Sequence, residues 1–410
     1  MYNSRVTARR RPRWSELQPL LRPAGMQLHA TERRLARAAS VADLRLLARR
    51  RAPRAVFDYT DGAAGAEIGL RRARDAFGRV EFRPRVLRDV SDVDTSTTIL
   101  GRPSALPLVF APTGFTRMMH TEGEPAVARV AARVGIPYAL STMGTTSIED
   151  LAAAAPGGRL WFQLYLWRDR EASRGFIERA RESGYDTLML TVDTPVPGAR
   201  LRDVRNGLTI PPTLSMRTFT EGARHPGWWF DLLTTEPLEF ASLHRFDGTV
   251  AELVGRMFDP SATMDDLSWL RSVWPGSLVV KGVLHAEDAR AVVDAGADAV
   301  VVSNHGGRQL DRAPVPLEAL ADVVDVVGDR AEVYVDGGIL SGSDLVAAVA
   351  LGARAGLVGR AYLYGLMAGG ERGVQRAADI LRAEVATTLA LLGVTRVEDL
   401  GRDHVRLRGA

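Results

Sequence analysis

From Leu106 onward the chain alternates short apolar runs with longer stretches whose apolar residues recur every three or four positions. The first pattern reads as buried strand and the second as amphipathic helix. Strand-like runs fall at Leu108–Ala111, Pro137–Leu140, Leu160–Tyr165, Thr187–Asp193, Ser277–Lys281, Ala299–Val302, Glu332–Val335 and Ala355–Val358. Helical patterns follow them at Glu122–Val134, Ile148–Ala155, Arg170–Ser183, Met264–Trp274, Ala286–Ala295, Leu317–Val327 and Ser343–Leu351, with a long closing helix over Gly373–Leu392. The Ala299–Val302 run is apolar throughout, as a strand covered on both faces requires. About eight strand–helix units predict an α/β fold, the (β/α)8 TIM barrel.

Upstream of the repeat the pattern changes. Residues 1–30 hold Pro12, Pro19 and Pro23 and no periodicity, so a basic, poorly ordered arm is expected. Thr31 to Arg51 reads as one helix capped by Thr31. Pro53 to Gly65 carries Phe57, Asp58, Tyr59 and a DGAAG turn, and Phe82 to Arg102 reads as an extended lead-in. The expected organisation is the arm, a helical and extended lead-in over 31–105, a barrel over 106–396 and a tail over 397–410. The barrel rhythm breaks once, after the fourth strand. Residues 194–265 form a long insertion rich in Pro, Gly and aromatics, with Trp228, Trp229 and Phe230 adjacent. Such a segment is a lid with its own small core, or a surface for a membrane or partner.

Composition narrows the classes. Hydrophobic content of 46% and charged content of 25% suit a soluble globular chain. There is no cysteine, which excludes disulfides, thiolate metal sites and a Cys nucleophile. No apolar run is long enough to span a bilayer and no apolar region follows the basic N-terminus, so a cytoplasmic location is expected. The net charge of +4 gathers in N-terminal arginines. No nucleic-acid motif accompanies them, so they read as a solvated surface and no nucleic-acid partner is expected. Lys281 is the only lysine; every other basic position in this chain is arginine. A lysine kept under such a bias suggests work that arginine cannot do, such as presenting a compact ammonium or forming a Schiff base.

Candidate chemistry sits where the strands end. Ala299–Val302 opens into Ser303, Asn304, His305, Gly306, Gly307 and Arg308. Histidine is a base near neutral pH, and the planar arginine fork suits a carboxylate or phosphate. Asp193 and Lys281 close two other strands, and in this fold strand C-termini converge on one site. The loops after strands seven and eight, Gly337–Gly338 and Gly359–Arg360, form a plausible phosphate cradle. GxGxxG, Walker A and HExxH patterns are absent, so a mononucleotide-type cofactor or a sugar phosphate is expected, with no metal. One reading of these residues is a Schiff-base aldolase, with Lys281 as nucleophile and His305 as proton shuttle.

Taken together, SNHGGRQLD, FQLY, TVDTPVPGARLRD, VVKGV and DGG resemble the FMN-dependent L-2-hydroxy acid dehydrogenase and oxidase family over about Val56 to Arg396. PVPGARLRD is most similar to quinone-linked L-lactate dehydrogenases. The resemblance implies FMN as cofactor and oxidation of an L-2-hydroxy acid, with L-lactate first and glycolate, mandelate or a longer acid as alternatives. It implies His305 as base, Asp193 as its partner, and Arg200 and Arg308 as a carboxylate clamp. Tyr59 and Tyr165 would bond the substrate and Lys281 would face the flavin. Pro112, Thr113, Gly114, Ser141, Gln163, Thr191 and Ser303 would line the flavin. Asp336, Gly337, Gly338, Gly359 and Arg360 would hold its ribityl and phosphate groups. It further implies a quinone or other acceptor, or oxygen, and a homotetramer. Membrane contact through 194–265, at the inner face of the cell membrane, is a further expectation. Two positions depart from the family pattern: Leu340 stands where many members have Arg, and Gly114 where some have Ala.

Overall fold

The computed structural model describes residues 13–18, 30–207, 224–238, 241 and 258–409. The expected arm thus falls almost wholly outside the described residues, as does much of the 194–265 insertion.

Eight parallel strands close into a barrel in chain order: β1 Leu108–Phe110, β2 Tyr138–Ser141, β3 Leu160–Leu164, β4 Thr187–Thr191, β5 Ser277–Val283, β6 Ala299–Ser303, β7 Glu332–Asp336 and β8 Ala355–Val358. Alternate residues along each strand face opposite ways. One set fills the barrel: Val109, Ala139, Trp161, Met189, Val279, Val301, Tyr334 and Leu357 form a single inner cluster. The other set packs outward on the helices and forms the larger core. Below the strands a short hairpin, Thr97–Ile99 with Arg102–Ser104, closes the barrel floor. Ile99 joins the inner cluster, and the Leu100 N–H donates to the Glu332 carboxylate at 3.0 Å.

The lead-in helices are α1 Ala30–Arg37, α2 Val41–Arg51, α3 Arg54–Asp61 and α4 Ile68–Gly78. The single helix expected over Thr31–Arg51 is two. Ser40 caps α2: its hydroxyl accepts from the Asp43 N–H at 3.2 Å, and the Asp43 carboxylate accepts from the Ser40 N–H at 3.0 Å. That reciprocal box restarts the helix and ends α1. The DGAAG stretch is preceded by true helix, so Tyr59 is helical and buried.

The barrel helices named below are α5 Gly123–Val134, α6 Ile148–Ala154, α7 Arg170–Glu182, α8 Leu201–Asn206, α9 Pro226–Leu233, α10 Met264–Val273, α11 Ala286–Asp294, α12 Pro316–Val327, α13 Gly342–Ala350 and α14 Arg360–Leu392. The closing helix starts at Arg360, immediately after β8, rather than at Gly373. Its run is broken at Gly369 and Gly370, whose backbone angles are not helical. The C-terminal segment is tied in as well: Val405–Leu407 pairs antiparallel with Val80–Phe82. The aromatic cluster of the insertion divides, with Trp228 packed inward and Phe230 exposed. Trp228 on α9 is buried in the main core, and its indole N–H donates to the Met118 carbonyl at 3.0 Å. Among the described residues no helix is long and apolar enough to cross a membrane.

Candidate active site

A cavity of about 700 Å³ opens at the C-terminal rim of the barrel. It takes in Pro112, Thr113 and Gly114 after β1, Ser141 ending β2, Lys281 on β5, Asp336 to Gly338 at the end of β7, and Gly359 and Arg360 after β8. Tyr59, Tyr165, Arg200, His305 and Arg308 line the same space. The remaining expected residues stand behind this wall. Asp193 bonds His305, Gln163 bonds Ser141, Ser303 bonds Lys281, and Thr191 pairs with Lys281 across β4 and β5.

His305 is placed by an unusual backbone. Its φ of +56° lies in the left-handed region, where a residue with a Cβ is strained. The turn is held by Ser303, whose Oγ accepts from the His305 N–H at 3.0 Å, and by Asn304, whose Oδ1 accepts from the Gly307 N–H at 3.0 Å. The imidazole Nδ1 lies 2.9 Å from Asp193 Oδ1, which leaves Nε2 as the ring's remaining polar atom. Burial pushes the Asp193 carboxyl up; His305, with Lys281, outweighs it and holds Asp193 below its ordinary value. Gly282 makes the approach possible. A Cβ there would fall 2.7 Å from the Asp193 side chain, and its φ of +109° belongs to the register shift in β5.

Lys281 is buried, with its ammonium 2.9 Å from Asp336 Oδ2 and 3.0 Å from Ser303 Oγ. Ser303 in turn donates to Asp336 at 2.8 Å. Burial would lower the lysine, but the Asp336 and Asp193 carboxylates outweigh it and hold Lys281 above its ordinary value. A nucleophilic Schiff-base lysine must be neutral part of the time. The ion pair opposes that, and the aldolase reading loses its nucleophile.

Arg308 is a half-buried cation at the same rim. It stacks on Tyr59, 4.8 Å from the ring centroid, with Arg200 5.3 Å from the same ring. Arg200 pairs with Asp203 at 3.3 Å. Among the described residues Arg308 donates only to backbone, the carbonyls of Tyr59 and Gly62. Burial and the like charge of Arg200 pull Arg308 down to about 10. Tyr165, raised well above the phenol range by burial, stacks edge-on with Phe258 at 5.4 Å.

Sequence reasoning missed the scaffold around Arg200. Asp61 is buried and accepts from Arg45 at 2.5 and 2.9 Å, from Arg202 at 3.1 Å and from the Tyr364 hydroxyl at 2.8 Å. Arg202 also binds Glu67 at 2.5 Å. These bonds fasten α8, which follows Arg200, to the lead-in helices. Arg45, Arg74, Met143, Phe258 and Leu340 also line the cavity. Only ARLRD carried a sequence signal for any of this; the partners lie too far apart in the chain.

The wall fits a flavin. Gln163 Nε2 is buried without a partner among the described residues, beside Ser141 at the end of β2. An amide donor in that state suits a carbonyl-rich ring. Gly114 leaves the wall open; a Cβ there would meet the Met143 Cβ at 2.9 Å.

The Lys281–Asp336 pair sets a stability window. Asp336 is held low, since the Lys281 charge outweighs burial, so its contribution is present above ordinary carboxylate pKa values and fades as pH falls below them. Lys281 is held high, so its contribution is present below the ordinary lysine value and fades as pH rises past it. The pair's own contribution should be level between about pH 5 and pH 10 and fall on both sides. Lys281→Met should cost about 3–5 kcal/mol near neutrality and make the alkaline fall shallower by the lysine's share. Urea titrations across pH measure both.

The family model for FMN-dependent dehydrogenase matches residues 48–407. A relative from Mycobacterium tuberculosis bearing the name "Putative L-lactate dehydrogenase" is 57% identical over 397 residues, covering 97% of this chain and 96% of its own. The L-lactate dehydrogenase of Caulobacter vibrioides is 44% identical over 375 residues, covering 88% and 96%. The crystal structure of the monotopic membrane protein (S)-mandelate dehydrogenase superposes with a TM-score of 0.87 at 41% identity, over 91% of this chain and all of that one. The chain belongs to the FMN-dependent dehydrogenase family, with FMN as cofactor and 2-hydroxy acid oxidation as its chemistry.

Proposed function

We propose that this enzyme oxidises L-lactate to pyruvate, with His305 as base and Arg200 and Arg308 as the carboxylate clamp. The observation that carries the reading is Arg308. It is a half-buried guanidinium with no carboxylate partner within salt-bridge distance among the described residues, and a second cation shares its aromatic platform. An interior site of that kind wants an anion from outside. A planar carboxylate satisfies both forks at once, and a plain alcohol does not. Relatives named L-lactate dehydrogenase support a small acid as the substrate.

FMN, when bound, supplies the two-electron acceptor for the hydrogen on the α-carbon. The protein residues supply the rest. Arg200 and Arg308 fix the carboxylate, and with it the α-carbon, against the wall of Gly114 and Lys281. Tyr59 and Tyr165 hold the hydroxyl. His305 Nε2 takes the hydroxyl proton, and Asp193 on Nδ1 stabilises the imidazolium that results. Lys281 brings a fixed positive charge to the wall, where its role is electrostatic. Thr113, Pro112, Ser141, Gln163 and Thr191 support the ring, and Asp336 to Gly338 with Gly359 and Arg360 support the ribityl and phosphate end. The resemblance supports a homotetramer.

For the second half of turnover we propose a quinone or another electron acceptor, reached from a cytoplasmic enzyme seated on the inner face of the membrane. Helix α9 supports this. Phe230 and Leu233 are 67% and 69% exposed, while Trp228 of the same helix is anchored in the core. The solved mandelate dehydrogenase is described as a monotopic membrane protein. The tryptophans of the insertion therefore hold the helix, and its outer apolar side chains would meet lipid.

Two outcomes test these readings. Arg308→Leu should raise the KM for L-lactate about 10- to 100-fold, the size of one charge-assisted contact, while bound FMN still shows its visible spectrum. An unchanged KM would remove the clamp. Phe230→Ser with Leu233→Ser should move the protein from the membrane pellet to the supernatant without altering L-lactate oxidation by a soluble dye. Full retention in the pellet would rule out α9 as the contact.

A further inference from the structure

The cavity end formed by the loops after β7 and β8 must receive a phosphate if FMN lies along this wall. Its cations are unequal. Leu340 presents an apolar side chain. Arg360 has every guanidinium nitrogen on a backbone carbonyl: Nε on Thr60 at 3.0 Å, Nη1 on Gly306 at 2.9 Å and Nη2 on Gly62 at 2.8 Å. Three of its five N–H donors join α3 to the His305 turn, which leaves one on each Nη.

Arg74 arrives from another direction. It projects from α4 onto the loop after β7, where Nη1 donates to the Gly338 carbonyl and, at 2.7 Å, to Asp344 Oδ2. Asp344 also accepts the Leu340 N–H at 2.8 Å, so one carboxylate pins both the loop and the arginine. The guanidinium lies 5.6 Å from the Phe77 ring centroid. The α4 backbone is pressed against the same loop: a Cβ on Gly338 would fall 2.8 Å from the Ala73 carbonyl. Arg74 is thus held at one nitrogen and packed along its stem. Its Nε and Nη2 have no acceptor among the described residues, and the side chain lines the cavity.

We propose that Arg74 is a second guanidinium that binds the FMN phosphate in this enzyme, beside Arg360 and from a lead-in helix outside the barrel. This rests on the placement of FMN in the cavity proposed above. A preorganised fork with two open donors suits a phosphate dianion, and its attachment to Asp344 keeps it in place before the ligand arrives. The lead-in helices then do more than cover the barrel: α4 completes the cofactor site.

FMN and riboflavin differ only by the phosphate, so the pair isolates the contact. The full-length chain, freed of flavin, is titrated with each and followed by quenching of flavin fluorescence. Arg74→Ala should weaken FMN about 10- to 100-fold and leave riboflavin within twofold. Arg74→Gln keeps the stem over Phe77, guards against a folding defect and should show the same selective loss. Unchanged FMN affinity in both variants overturns the proposal. Equal losses for FMN and riboflavin also overturn it, because they assign Arg74 to packing. A wild-type chain that binds riboflavin as tightly as FMN would instead overturn the placement of the phosphate end, and Arg74 with it.

Discussion

The interior of this barrel rim holds positive charge that the protein does not neutralise by itself. Arg308 is half-buried, stands beside Arg200 across the ring of Tyr59, and gives its hydrogen bonds among the described residues to backbone carbonyls. Burying an unpaired charge is expensive, and placing a like charge beside it adds to the cost. The surrounding structure is arranged to bear that cost. Tyr59 offers both cations the face of its ring, which attracts them. Asp203 partly balances Arg200. The network of Asp61, Arg45, Arg202 and Glu67 fixes the start of α8, so that Arg200 is held near Arg308 rather than turned out to solvent. On the proposed reading, an anionic substrate would offset the charge that these elements hold in place.

The other buried charges at the rim are internally balanced, and the contrast separates their roles. Lys281 and Asp336 neutralise each other through Ser303, and His305 and Asp193 form a second pair. Ser303 belongs to both, since it also accepts the His305 N–H. One hydroxyl therefore couples the lysine on β5 to the histidine turn after β6. These paired groups are preorganised without a ligand, as an electrostatic site requires. The proposed arginine clamp would be complete only with one.

Much of this was legible in the sequence, for physical reasons. Buried parallel strands must be apolar, so runs such as Ala299–Val302 announced themselves, and the polar residue ending each run marked the rim. The solitary Lys281 stood out against the arginine background and proved to be buried and ion-paired. What the sequence concealed depends on long-range partners. Nothing local distinguishes Asp61 from any other acidic helix residue, yet its bonds join α2, α3, α8 and α14. Arg74 lies among several arginines on an amphipathic helix, and only its approach to Gly338 and Asp344 gives it a place in the cavity. The break between α1 and α2 was readable in principle, from Ser40 and Asp43, but alanine and arginine content on both sides masked it. The tryptophans at 228 and 229 suited either a small lid core or an outward surface; packing against Met118 turns the first of them inward.

The most direct test of the account is the anaerobic visible spectrum of the purified protein before and after addition of L-lactate or D-lactate. The account predicts an oxidised flavin spectrum that bleaches with the L-isomer and stays unchanged with the D-isomer. A flavin that remains oxidised with L-lactate and with other small L-2-hydroxy acids would contradict it.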